Sequence, residues 1–367
     1  MRSPIGLDDR PPPLGLRRRI GRAVTVLAWL NLTALLAIWF AVLAAGTSWW
    51  PVTIFIYAPR SIWGLPTLLV VPIALFTRPR ALVPLALATI VVIVPIMGFR
   101  SPEFGLSRLK STPDPVQVRV LTCNLGDTAL DVRGMAALVR DEAVDVALLQ
   151  EARLSSEASA AIFPESEGWR VNDGGDWLGL RLIVAAKYPV RNLGFLDGVA
   201  MDSPGVAASY DLEIRGSLVR FVNVLMPSSR PGFIALKQRR FKGLGELSDA
   251  VATQLRSAKA VREWIGHGDI SLIVAGDFNI TDDDPVYRVA WKGFDNAFAT
   301  AGRGFGHTKV GRWFGWRIDH ILAGPGWKAE WCRVGPAIGT DHRPVIASLR
   351  WTGPSEVFPH RSDGPAH

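Results

Sequence analysis

The sequence predicts an α/β protein in which about three membrane-crossing helices precede a domain of two mixed sheets packed together, with helices outside. Two observations predict it. Nearly every residue from 23 to 99 is apolar or small, whereas the rest of the chain has an ordinary polar balance. Beyond residue 116, short β-rich runs interleave with helical stretches, and some of the runs pair as hairpins, the pattern of mixed sheets covered by helices.

Residues 1–22 are a basic segment expected in the cytoplasm, with Arg17, Arg18, Arg19 and Arg22 directly before the first apolar run. Residues 23–45 carry no charge, and about 23 residues at about 1.5 Å each span a bilayer core. A cleaved signal peptide is the rival reading, but the run is long for one and further apolar segments come after it. The second run, 61–76, is shorter, holds Pro66 and Pro72 and is bounded by Arg60. Trp49, Trp50 and Trp63 suit a membrane interface. The third run covers 81–99. Buried helices of a soluble protein are the alternative for these two. Arg78 and Arg80 lie between them, and cationic flanks stay in the cytoplasm. Three spans over residues 23–99 then place everything after Phe99 outside it, although Arg100, Arg108 and Lys110 pull the other way.

Residues 100–116 read as a linker and 117–351 as the folded domain. Residues 116–124 (VQVRVLTCN) are β-rich, and 130–140 form an amphipathic helix. Residues 144–149 (VDVALL) are a strand ending at Gln150-Glu151, and 180–186 are another, closed by Tyr188-Pro189. Residues 207–214 and 219–226 make a hairpin around Gly216. A long helical stretch covers 235–265. Residues 271–275 are a strand that ends in Gly276-Asp277-Phe278-Asn279, and 317–322 and 345–349 complete the set. The polar residues 352–367 read as a disordered tail. There is no internal repeat.

The net charge of +8 is unevenly placed: residues 1–116 carry 12 Lys/Arg against 4 Asp/Glu, and residues 117–367 carry 29 of each. The pI near 9.9 therefore reports membrane flanks rather than a nucleic-acid face. A neutral domain also argues against tight non-specific nucleic-acid binding, which depends on Lys and Arg neutralising phosphates. The two cysteines, Cys123 and Cys332, have no metal-ligand spacing and make no disulfide framework. Cys123 lies inside a strand and reads as a buried thiol.

Asn124, Glu151, Asp277, Asn279, Asp319, Asp341 and His342 each sit in, beside or just beyond an apolar β run. Strand ends are where a rigid scaffold presents functional groups. Each has a plainer reading. Gly-Asp-Phe-Asn is good turn chemistry, Gln150-Glu151 can cap a helix, Asp319 can be a solvated strand residue, and Asp341-His342-Arg343-Pro344 can be a loop. Together they point to a convergent acidic site. Carboxylate oxygens suit Mg²⁺, and Mg²⁺ suits phosphoryl oxygens, whose charge it offsets.

The segments Val120-Leu121-Thr122-Cys123-Asn124, Leu148-Leu149-Gln150-Glu151, Gly276-Asp277-Phe278-Asn279, Arg317-Ile318-Asp319-His320 and Thr340-Asp341-His342-Arg343-Pro344 resemble the signature segments of the endonuclease/exonuclease/phosphatase superfamily, in that family's order, over about residues 117–351. The apolar spans in front resemble its bacterial membrane branch, which includes proteins similar to the teicoplanin-resistance membrane protein. The resemblance implies a four-layer α/β sandwich, a divalent metal (Mg²⁺ or Mn²⁺) and hydrolysis of a phosphodiester, phosphomonoester or pyrophosphate by metal-activated water. It implies that Asn124 and Glu151 hold the metal, Glu151 most directly, with Asp341 helping to position metal or water. Asp277 would orient or deprotonate the water and Asn279 would hold the phosphate. His342 would stabilise phosphoryl charge, with Asp319 fixing its ring.

One position departs from the family. A second catalytic His is common at the end of the strand that here reads Phe221-Val222-Asn223-Val224-Leu225-Met226-Pro227. Leu225 or its neighbour stands there, and neither can bond a phosphate. Tyr210, Ser228, Ser229 and Arg230 are the nearby replacements, Arg230 foremost as a substrate-binding group because a guanidinium grips phosphate bidentately. Lys237-Gln238-Arg239-Arg240-Phe241-Lys242 reads as a solvated helix face or a contact for phosphate or lipid. Trp313, Phe314 and Trp316 read as core or as an apolar rim. Two functional readings stand beside hydrolysis of a lipid-linked or envelope substrate at the membrane: an exported nuclease, and a membrane-tethered binding domain that kept the fold and lost the chemistry.

Overall fold

A computed structural model describes residues 14–46, 49–101, 116–126, 129–239, 243–266, 271–311 and 314–354 of the chain. The start of the basic segment, most of the expected linker, Trp313, the run 240–242 and the tail from 355 lie outside the described residues. The chain divides into two compact units. One comprises residues up to Ala44 with Tyr57–Gly98, the other Ala45–Ile56 with the chain from Phe99 onward.

The first unit is built from α1 (Leu14–Ala44), α3 (Leu65–Thr77) and α4 (Leu82–Val91). The short helix α2 (Trp50–Tyr57) falls almost wholly in the second unit. Three helical stretches are long and apolar enough to cross a membrane: Arg17–Ala44, Arg60–Thr77 and Pro79–Ile96. Their outer faces expose large apolar side chains, with Phe40 at 70% and Phe76 at 78%. Small residues line the contacts instead: Ala28, Ala74, Ala81 and Ala88 are fully buried, as expected where helices approach closely without help from water. Asn31 Nδ2 donates to Thr67 Oγ1 at 2.7 Å, joining α1 to α3.

These boundaries differ from the sequence reading. The first helix extends back through Arg22 and Arg17 to Leu14, because arginine is itself a good helix former. The third stops at Ile96, three residues early, where Pro95 and the left-handed Gly98 (φ 74°) interrupt it. The expected linker also starts late. Arg100 and Gly304 exchange backbone hydrogen bonds of 2.8 Å, and the Phe99 ring meets Phe305 edge-on at 5.3 Å.

The second unit holds two six-stranded mixed sheets. The first contains β1 (Gln117–Asn124), β2 (Val146–Gln150), β3 (Arg170–Gly175), β4 (Leu182–Ala186), β13 (Trp327–Val334) and β14 (Val345–Trp351), in the order β13-β14-β1-β2-β4-β3. The second contains β5 (Val190–Leu196), β6 (Val206–Ile214), β7 (Ser217–Leu225), β8 (Ser271–Asp277), β9 (Asp295–Asn296) and β12 (Asp319–Ala323), in the order β5-β6-β7-β8-β12-β9. The pairs β1/β2 and β7/β8 are parallel and the others antiparallel. A small hairpin, β10 (Lys309–Val310) with β11 (Gly315–Trp316), stands apart.

Alternating side chains from both sheets, among them Val118, Val120, Leu148, Phe221, Leu225 and Ile273, fill the space between them. The outer face of the first sheet packs under α5 (Val132–Asp141) and α6 (Ser156–Ile162), and that of the second under α9 (Leu244–Ile265) and α10 (Pro285–Ala290). The layers thus run helix, sheet, sheet, helix. The central strands are buried on both faces, which is why they read as continuous apolar runs. Short helices α7 (Gly198–Met201), α8 (Arg230–Arg239) and α11 (Ala297–Ala301) sit in the connections.

At the end of β8 the backbone itself demands a glycine. Gly276 (φ 151°) lies so close to β7 that a Cβ would fall 1.9 Å from Val224 O. Only glycine admits this approach, which carries β8 on to Asp277.

Candidate active site

The parallel pairing sets the site. β1 and β2 end together with Asn124 opposite Gln150, so Glu151, the next residue, emerges beside Asn124. β7 and β8 end together with Leu225 opposite Asp277, and β12 begins with Asp319 opposite Asp277. Two sheets therefore deliver their strand ends to one place.

Asn124 Nδ2 donates to Glu151 Oε1 at 2.8 Å and to Asp277 Oδ2 at 3.1 Å, spanning from the first sheet to the second. Asp277 Oδ1 accepts from the Asn279 backbone N–H at 2.9 Å. The Asn279 amide donates to Met226 O at 2.8 Å and, weakly, to Asp277 Oδ2 at 3.3 Å. Glu151 (φ 49°) and Asn279 (φ 52°) both hold left-handed backbone conformations, which cost non-glycine residues energy and gather at functional sites.

His342 Nδ1 lies 2.9 and 3.1 Å from the two oxygens of Asp319. Its Nε2 is 3.8 Å from Asp277 and 3.9 Å from Asp341, beyond hydrogen-bond reach. Burial is the largest influence on the imidazolium and pulls it down, but Asp319 and then Asp277 outweigh it and raise His342 to about 9. Burial, followed by the Asp319 charge, pushes the Asp277 carboxyl up to about 7 against the pull of His342. Asp341 is half-exposed and pairs with Lys309, which keeps its carboxyl low despite some burial.

A cleft of about 1040 Å³ opens over these groups. Asn124, Glu151, Asp277, Asn279, Asp341 and His342 line it, while Asp319 stands behind His342, almost fully buried. Of the replacements for the missing histidine, Ser228 and Arg230 line the cleft. Ser229 is buried. Tyr210 is not near: it pairs with Phe221, four residues before Leu225 along β7, and its hydroxyl packs against Gly174. Leu225 points into the core between the sheets and is 4% exposed. Lys237 and Gln238 are exposed, and Gln238 reaches the cleft. Phe314 and Trp316 pack edge to face at 4.7 Å.

Sequence reasoning missed Lys309, which arrives from the two-residue strand β10 through a bridge to His342. It also missed the support beneath the site. Gln150 Nε2 donates to Asn223 Oδ1 at 2.6 Å, and Asn223 Nδ2 donates to Leu149 O and Ile183 O.

The donor set fits a hard divalent cation. Four carboxylates, Glu151, Asp277, Asp319 and Asp341, crowd around two cations, His342 and Lys309, and such oxygen-rich negative charge suits Mg²⁺ or Mn²⁺. The tightest three-residue group is Asp277, Asp319 and His342, with ligand atoms within 4.8 Å of one another, but Asp319 already spends both oxygens on His342. Glu151 with Asn124 and Asp341 is the freer oxygen set. Gly126 beside it holds a left-handed backbone (φ 55°) that favours glycine.

Residues 121–342 match the Endonuclease/Exonuclease/phosphatase family. No curated protein matches the chain. Among solved structures, an endonuclease/exonuclease/phosphatase family protein from Bacteroides thetaiotaomicron is similar at 15% identity, covering 65% of this chain and 97% of its own, with a TM-score of 0.48. Truncated Caenorhabditis elegans TDP2 is 17% identical over 64% of this chain and 98% of its own, TM-score 0.47. The Bacteroides thetaiotaomicron mannosyl-6-phosphatase Bt3783 is 16% identical over 63% and 99%, TM-score 0.46.

Proposed function

The chain belongs to the endonuclease/exonuclease/phosphatase family, and we propose that it is a membrane-anchored, metal-dependent phosphoesterase whose catalytic domain works outside the cytoplasm. The observation that carries this reading is the meeting of Glu151, Asp277 and His342 in one cleft, each oriented by a named partner. Glu151, Asn124 and Asp341 would hold Mg²⁺ or Mn²⁺, which when bound polarises a phosphoryl oxygen and offsets developing charge.

The remaining work falls to the chain's own residues. Phosphoryl transfer needs positioning and charge stabilisation more than covalent chemistry. Asp277, almost fully buried, takes a proton from the attacking water as the water oxygen bonds to phosphorus. The bond to the leaving oxygen breaks, and that oxygen takes a proton from solvent water reaching the open cleft, while Asp277 returns its own proton to solvent. His342 is held as an imidazolium by Asp319 and donates Nε2–H to a phosphoryl oxygen. Asn279 turns its amide toward the phosphate by giving up its 3.3 Å bond to Asp277. Arg230, exposed at the cleft wall, supplies a second cationic contact.

The test is phosphate or alcohol release by the full-length protein in detergent, stripped of metal and then resupplied with Mg²⁺ or Mn²⁺. Wild type should turn over only with metal. Glu151→Gln should lose at least about a hundredfold in rate, roughly 2.7 kcal/mol of barrier, and should also lose the metal-dependent rise in melting temperature. Metal-independent turnover, or none on any phosphoester, would refute the proposal. The second outcome would favour a tethered binding domain, the reading that Leu225 supports.

A further inference from the structure

The phosphoesterase reading assigns the cleft floor to the phosphate and leaves the rest of the substrate unassigned. The outer wall comes from α8 and α9. Gly232 on α8 lies so close to α9 that a Cβ would stand 2.6 Å from Leu247 Cα, which pins the two helices together. Ile234, two positions on, lines the cleft and is 45% exposed. Pro204, Pro227, Pro231 and Ala235 line it as well. Ile234 and these prolines thus give the cleft an apolar wall beside its charged floor.

Charge narrows the choice. Among the described residues the cleft offers three cationic side chains, Arg230, Lys309 and His342, and the last two are held against carboxylates, Lys309 by Asp341 and His342 by Asp319. Glu246 and Asp249 from α9 also face it. A nucleic-acid backbone needs a cation for each phosphate it lays down. This cleft suits one phosphate head with an apolar remainder. The same chain carries three stretches long and apolar enough to cross a bilayer, Arg17–Ala44, Arg60–Thr77 and Pro79–Ile96, so a membrane amphiphile is a ligand of matching chemistry.

We infer that the cleft takes the phosphate or pyrophosphate head of a membrane amphiphile, whose apolar chain lies along Ile234 and the proline-lined wall. This inference rests on the phosphoesterase reading. The test uses the full-length protein in detergent with Mg²⁺ and two homologous series, alkyl p-nitrophenyl phosphates and monoalkyl phosphates, from methyl to octyl, with single- and double-stranded DNA alongside. kcat/KM should rise roughly tenfold from the methyl to the octyl ester, since each buried methylene adds favourable transfer energy. Ile234→Asp should flatten the series, bringing the octyl-to-methyl ratio to about one, and Ile234→Ala should reduce it. Val289→Asp, at a more exposed apolar site (65%) outside the cleft, should keep the slope. A flat wild-type series, an unchanged slope in Ile234→Asp, or faster cleavage of DNA than of the octyl ester overturns the inference and leaves the phosphoesterase reading standing. No turnover of any ester overturns both.

Discussion

His342 Nδ1 sits 2.9 Å from Asp319 Oδ2, with both residues almost fully buried. The carboxylate fixes the ring and determines which nitrogen faces the cleft. It also holds charge on an imidazole that burial alone would keep neutral. A histidine that is cationic at neutral pH can donate to a phosphoryl oxygen throughout the physiological range, so in the proposed phosphoesterase Asp319 would act through His342 as a positioning residue.

This pairing makes the stability of the metal-free protein depend on pH in a stated direction. His342 rises from its ordinary 6.5 to about 9, and Asp277 from 3.8 to about 7. In both, the folded chain holds a proton that the unfolded chain has released, so stability falls as pH rises through each window. The Asp277 contribution is fully present below 3.8 and lost through about 7; the His342 contribution is present below 6.5 and lost through about 9. Urea melts of the chelator-treated protein should therefore weaken from pH 6.5 to 9. Asp319→Asn should bring the His342 NMR titration midpoint down, because burial then meets less opposition. A midpoint that stays put would show that Asp319 does not hold the charge.

Beneath the site, Asn223 is fully buried and ties the two sheets through Gln150, Leu149 O and Ile183 O. Asn223→Leu should remove the bond from Gln150, which keeps Thr122 Oγ1 and Leu148 O as acceptors, and take the side-chain donor away from Leu149 O and Ile183 O, at a cost of about 2–4 kcal/mol. The double change Asn223→Leu with Gln150→Leu should recover part of it, because both polar groups are then gone. Denaturant midpoints of the two variants measure the difference. Equal stability of wild type and Asn223→Leu would remove the network from any account of the fold.

Burial also decides which elements are legible in the sequence. Central strands such as β2 and β8 are buried on both faces and announce themselves as apolar runs, and the acids at their ends stand out by contrast. The outer strands β3 (RVNDGG) and β5 (VRNLGFL) are largely solvent-facing, so no alternation betrays them. Asn223 and Gln150 look like interruptions of a strand until the facing sheet supplies partners. Lys309 is tied to Asp341 by tertiary contact alone, across a hairpin too short to leave a pattern. The single helix read over 235–265 is two, α8 and α9, because the chain folds back at Gly243, where a Cβ would meet the Ala235 backbone at 2.4 Å.

Orientation rests on Arg17, Arg18, Arg19, Arg22, Arg78 and Arg80 outweighing Arg100 and the cations after it. Arg100 is engaged with Asp282 at 3.1 Å, which makes it a weaker topological signal than a solvated cation. Alkaline-phosphatase fusions at Gly353, active only outside the cytoplasm, should be bright, and green-fluorescent fusions that mature in the cytoplasm should be dark. The reverse pattern would place the cleft in the cytoplasm and remove envelope substrates from consideration.

Leu225 gives the sharpest prediction. In the parallel register it stands opposite Asp277, so the two side chains share a face of the sheet, and a longer polar group at 225 would stand next to the Asp277 carboxylate. Leu225→His should raise kcat on a compatible phosphoester by about 10²-fold or more, the usual contribution of a placed acid–base group. It should also lower stability, since an imidazole replaces a side chain that is 4% exposed in the core between the sheets. The two effects read out separately, one in single-turnover rates with saturating metal and the other in thermal melts. Loss of stability without gain in rate would mean that the cleft has been rebuilt around another cation. Arg230→Ala should then remove most of the remaining activity, which identifies Arg230 as the group that took over the histidine's contact with the phosphate.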